Sequence, residues 1–152
     1  ADRIFKFALC AYGNDVTQAQ LNSFAKDVII HELMHVIQFP PDRTVLPHIY
    51  EQLGPAYFEL YEVSFWLYQN SPSLSRGDDI LHRTGGFGFV SGYDQENGVE
   101  SFAESAMFYL HYRARFEQYA REDAADGDYF LWKKLLFLGA RLFCEEVQPP
   151  SP

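Results

Sequence analysis

The sequence predicts a mainly α domain, α+β at most. Apolar residues recur at helical spacing through four long stretches. Helix-start residues stand at the head of several of them, and one short segment near the N-terminus alternates as a strand would. At 152 residues, 47% hydrophobic and 22% charged, the chain has the length and composition of a single compact domain, 1–152, with residues 146–152 as a flexible tail. It starts at Ala1 without a leader pattern, which fits a processed protein and a piece of a longer chain alike.

The strand candidate is Arg3 to Leu9, closed by the turn residues Gly13, Asn14 and Asp15. Thr17-Gln18-Ala19-Gln20 matches a capping box and opens a first helix that runs to about Gln38, where Pro40-Pro41 ends it. A second helix starts at Pro55, a residue suited to the first helical position, and carries Tyr57, Phe58, Tyr61, Phe65, Trp66 and Tyr68 towards Asn70. From Ser71 to Gly98 the chain reads as a long loop, and Gly85, Gly86 and Gly88 make it a candidate flap. A third helix is predicted from about Gly98 to Arg121 and a fourth from about Asp128 to Cys144.

Composition excludes several classes of function. The longest uncharged stretch, Val63 to Ser75, is too short to span a membrane and contains Pro72. With 21 acidic residues against 12 basic ones, a net charge of -9 argues against nucleic-acid binding, because a phosphate backbone needs a basic face. Cys10 and Cys144 lack the spacing of a cysteine metal site. If they pair, the compartment is oxidising, and a secreted location is slightly favoured; two free thiols are the alternative.

His31-Glu32-Leu33-Met34-His35 is an HExxH inside the first helix, where residues four apart share a face and two imidazoles can meet one ion. About 0.01 such pentapeptides are expected by chance at this composition. Val28, Ile29, Ile30, Leu33, Met34, Val36 and Ile37 surround the motif, so the turn is expected to be buried almost all round. A carboxylate buried there needs a cation, a donor or held water, and a zinc ion with its water supplies that need. The alternative is a core helix whose histidines are satisfied within the protein.

Two imidazoles leave a tetrahedral zinc one protein ligand short. His48, His82, Asp42 and Glu51 are isolated candidates, and Gln38 and Pro41 stand where the metzincin pattern needs Gly and His. Glu100-Ser101-Phe102-Ala103-Glu104 is the better source, because it sets two carboxylates one helical turn apart on the third helix. Asn97 to Glu100 and Ser101 to Glu104 also match capping boxes, which would give the acids a purely local role. Glu104 could instead accept a hydrogen bond from a ligand imidazole.

On these residues the chain resembles the gluzincin metallopeptidases, in which the HExxH histidines and a Glu on a later helix hold zinc. Glu100-Ser-Phe-Ala-Glu104 looks like the E-x-F-A-E segment of the lethal-factor-type catalytic domain, and Tyr93, seven residues before Glu100, is placed like that family's catalytic tyrosine. The resemblance covers about Thr17 to Gln38 and Gly92 to Cys144. It implies a zincin-like domain with an HExxH helix, a Glu-bearing helix, a C-terminal helix and a much reduced N-terminal sheet, the aromatic helix being an insertion.

It further implies a hydrolase with Zn2+ as cofactor and a peptide or protein as substrate. His31, His35 and Glu100 would be the metal ligands, Glu32 the general base, Tyr93 the oxyanion donor and Glu104 a support for the site. The competing function is a catalytically inactive zinc-binding domain, or an interaction domain displaying the rings of the second helix. Oligomeric state is not encoded in any motif.

Overall fold

The computed structural model describes residues 17–39, 49–70 and 87–145. Among the described residues the protein is mainly helical and contains no strand. The predicted strand at Arg3 to Leu9, residues 146–152, and the site candidates Asp42, His48 and His82 lie outside them, as do Gly85, Gly86, Cys10 and the side chain of Glu51.

Helix α1 (Gln18–Gln38) begins as its sequence dictates. The Thr17 hydroxyl accepts the Gln20 N–H while the Gln20 side chain accepts the Thr17 N–H at 2.8 Å. Helix α2 (Ile49–Tyr57) kinks at Gly54, whose φ of 62° is a left-handed conformation, so a fresh helical run starts at Pro55 as predicted. It continues through a π-helical turn (Phe58–Val63) into α3 (Ser64–Gln69). The buried Ser64 hydroxyl donates to the Leu60 carbonyl at 2.7 Å inside this wider turn.

The third predicted helix is two helices. Helix α4 (Gly98–His111) stops at Tyr112, with φ -127° and ψ 38°, before α5 (Arg113–Ala125) begins. Tertiary bonds coincide with the break: the Tyr112 hydroxyl donates to Asp27 on α1 at 2.7 Å, and His111 bonds the other oxygen of the same carboxylate. The last predicted helix is α6 (Phe130–Leu138), extended by a π-helical turn (Gly139–Phe143) that ends at Cys144 in the left-handed region. Cys144 is exposed.

Helix α4 is the hub. Every residue from Ser101 to Tyr109 is buried, and α4 packs against α1, α5, α6, the π-helical turn 58–63 and a 3-10 turn at Tyr93–Gln95. Small side chains at Ser101, Ala103, Ser105 and Ala106 let these neighbours approach. Phe102 fills the space between Tyr57 and Tyr61, with ring centroids 5.3 and 5.4 Å away, and its burial contributes about 2–3 kcal/mol. Tyr57 and Tyr61 are therefore core, whereas Phe58 and Trp66 of the same aromatic stretch are exposed.

The expectation of an HExxH turn apolar and buried all round fails. Among the described side chains of α1 only His31, Met34 and Gln38 are buried, while Ile29, Leu33 and Val36 are 52%, 53% and 54% exposed. Among the described residues the helix packs mainly by the edge that faces α4, with a smaller contact to α2, so its apolar circumference does not by itself measure burial.

Candidate metal centre

Two helices deliver the site. On α1 the four-residue spacing sets His31 and His35 side by side, ring centroids 4.7 Å apart. On α4 Glu100 stands in the first turn, after Asn97 has capped the helix by accepting the Val99 and Glu100 N–H groups at 2.9 and 3.0 Å. The capping box read at Asn97 is thus half made. The Glu100 carboxylate turns to the histidines: its Oε2 lies 2.9 Å from His31 Nε2 and 3.2 Å from His35 Nε2, and the two Nε2 atoms are 3.0 Å apart.

The remaining ring nitrogens fix the tautomers. His31 Nδ1 is 2.9 Å from Glu104 Oε1, and a carboxylate only accepts, so Nδ1 carries the hydrogen. His35 Nδ1 is 2.7 Å from Gln38 Oε1. The orientation of that amide is set by its other end, where Nε2 donates to the Val99 carbonyl at 3.1 Å and to the Tyr57 hydroxyl at 2.8 Å. Both imidazoles therefore donate from Nδ1 and, when neutral, present Nε2 lone pairs to each other and to a carboxylate oxygen.

With both imidazoles neutral, these three acceptors 2.9–3.2 Å apart repel, and a cation, either a proton or a metal ion, removes the repulsion. Ligand atoms of a tetrahedral zinc at about 2.0–2.1 Å stand about 3.3–3.4 Å from one another, close to the spacing seen. His31, His35 and Glu100 could thus hold a metal ion, and the donor set fits one. Burial lowers the pKa of His31, but Glu104 and then Glu100 outweigh burial and raise it above 6.5, so a proton competes with a metal ion for this imidazole.

Glu104 takes the role of partner to an imidazole rather than a cap. It is buried, and its second oxygen accepts from the Ser91 hydroxyl at 2.6 Å. Tyr93 lies at the rim with its ring centroid 5.6 Å from that of His31 and 45% of its surface exposed. Partial burial and the neighbouring Glu100 raise its pKa, so its hydroxyl keeps its proton at neutral pH. Glu32 is exposed and makes no hydrogen bond or ion pair with any described residue.

Gln38 and Ser91 were missed by sequence reasoning. Gln38 registered only as the wrong residue for a metzincin glycine, although its spacing of three from His35 on a helix was a usable signal. Gly88, read as part of a flap, has φ +79°, and a Cβ there would lie 2.7 Å from Phe130 Cβ. Its glycine serves close packing of this segment on α6.

No described helix is long and apolar enough to cross a membrane. Compared with protein families, curated proteins and solved structures, the chain gives no match.

Proposed function

We propose that the protein is a zinc-dependent metallopeptidase of the gluzincin type, hydrolysing a peptide or protein substrate. The observation that carries this proposal is the convergence of His31 Nε2, His35 Nε2 and Glu100 Oε2 within 3.2 Å, with both imidazoles anchored from behind. His31, His35 and Glu100 are the ligands. Zinc bound there supplies a Lewis acid for a scissile carbonyl and lowers the pKa of a bound water towards about 7.

Glu32, exposed and next in sequence to a ligand, would be the general base that takes a proton from the attacking water and returns it to the leaving amine. The Tyr93 hydroxyl donates to the developing oxyanion. Glu104 and Gln38 keep both imidazoles in the tautomer that leaves Nε2 free for the metal.

The alternative, a catalytically silent metal-binding or interaction domain, draws on Phe58 and Trp66, which are 56% and 61% exposed beside a groove lined by Val63 and Phe65. Zinc-loaded protein and a Glu32→Gln variant, assayed on a peptide library, separate the two. A peptidase loses about 10²–10⁴-fold in kcat in the variant while its zinc content stays unchanged. Equal hydrolysis by both proteins, or none by the zinc-loaded wild type, overturns the proposal.

A further inference from the structure

Leu131, Lys134, Leu135 and Leu138 share one face of α6, and all four are buried. Lys134 is fully enclosed among them, its Nζ donating to Ser101 Oγ at 2.6 Å and lying 3.7 Å from Asp94 Oδ1. The ammonium also sits 4.7 Å from the ring centroid of Tyr61 and 5.5 Å from that of Phe89. Asp94, equally buried, accepts the Val90 N–H at 2.7 Å. An apolar pair of the same volume would fill this space without the cost of desolvating two charges, so a buried ion pair is weak evidence for stability alone.

Its location suggests another use. Asp94 follows Tyr93 in the 3-10 turn, and Ser101 follows Glu100 on α4. The Asp94 N–H donates to Ser91 Oγ at 3.0 Å, Ser91 donates to Glu104 Oε2, and Glu104 Oε1 accepts from His31 Nδ1. Hydrogen bonds thus run from the Asp94 backbone to the ligand imidazole, and the 3.7 Å ion pair with Lys134 joins α6 to the same turn. Tyr93 itself is nearly half exposed, so the turn that carries it fixes its position more than its own packing does.

We infer that Lys134 is a positioning residue: through Asp94 it clamps the turn 90–95 to α4 and α6, and so aims the Tyr93 hydroxyl at the His31–His35–Glu100 site. The inference rests on the peptidase proposal for its kinetic consequence and on geometry alone for its structural one.

The test is a double-mutant cycle in zinc-loaded protein. Lys134→Met is expected to keep its zinc and lose about 10- to 100-fold in kcat with KM unchanged, yet to cost less than about 2-fold when added to Tyr93→Phe. An equal loss in both backgrounds, or no loss in either, overturns the inference. A second readout does not depend on hydrolysis. With 3-fluorotyrosine incorporated, the fluorine resonance that disappears in Tyr93→Phe is expected to shift on zinc addition in the wild type and to lose that shift in Lys134→Met.

A shift of wild-type size in Lys134→Met overturns the clamp, whatever the protein hydrolyses. If the zinc-loaded wild type cleaves no peptide, the peptidase proposal fails and the resonance decides the clamp. Should Lys134→Met not fold, Lys134→Met with Asp94→Asn removes both charges and keeps an oxygen for the Val90 N–H, and the same two outcomes apply.

Discussion

Replacing Gln38 with Met isolates the residue that holds His35 from behind. The side chain is fully buried, and Met fills a similar volume but makes none of its three hydrogen bonds, to His35 Nδ1, the Tyr57 hydroxyl and the Val99 carbonyl. At about 0.5–1.5 kcal/mol for each buried bond the metal-free protein is expected to lose about 3 kcal/mol. For a domain of this size that lowers Tm by roughly 6–12 °C. His35 also loses the acceptor that holds its Nδ1 hydrogen. Loss of such a partner weakens metal binding about 10- to 100-fold, or about 1.4–2.7 kcal/mol.

The assays are thermal unfolding of the metal-free protein and zinc titration against a chromophoric chelator. Gln38→Glu serves as the discriminating control. It keeps an oxygen for Nδ1 and can accept from the Tyr57 hydroxyl, but it loses the bond to the Val99 carbonyl and buries a charge against it, so it should be destabilised while binding zinc almost as the wild type does. A Gln38→Met protein whose zinc affinity lies within about twofold of wild type would show that the amide does not set the His35 tautomer, and the reasoning would fail.

Gly88→Ala meets both a φ of +79° and a contact of 2.7 Å with Phe130 Cβ, so a loss of about 2–4 kcal/mol is expected from the urea midpoint. For Asp94, burial outweighs the lowering effect of Lys134 and lifts the pKa from 3.8 to about 6. Between those values the folded protein binds more protons than the unfolded chain, so this group's contribution is complete below about pH 4 and is lost as pH rises through 6. Asp94→Asn should therefore flatten the fall in stability from pH 4 to 6, read as urea midpoints across that range; an unchanged slope would refute the assignment. Asp27→Ala removes the acceptor for both His111 and Tyr112, and should cost about 1–3 kcal/mol in the same assay.

Local signals were legible in the sequence wherever they were self-contained. Thr17 and Gln20 cap α1 within one turn, Pro55 starts the aromatic helix, and the four-residue spacings of His31 with His35 and of Glu100 with Glu104 define faces before any tertiary contact forms. What escaped depends on neighbours distant in sequence. No glycine or proline marks the break at Tyr112, where His111 and Tyr112 both bond Asp27 on α1. Nothing in the sequence distinguishes Lys133 from Lys134, of which the packing of α6 exposes the first and buries the second. The apolar residues around the HExxH were overread, since hydrophobicity on a helix says which faces can be buried and not which neighbours are there to bury them.

Everything proposed for catalysis depends on three side chains sharing one ion. The direct measurement is the zinc content of purified wild-type protein and of Glu100→Ala, by plasma mass spectrometry after dialysis against zinc and then metal-free buffer. A site built on His31, His35 and Glu100 predicts about one zinc per chain in the wild type and little in the variant. Zinc retained by Glu100→Ala, or none in the wild type, would contradict it.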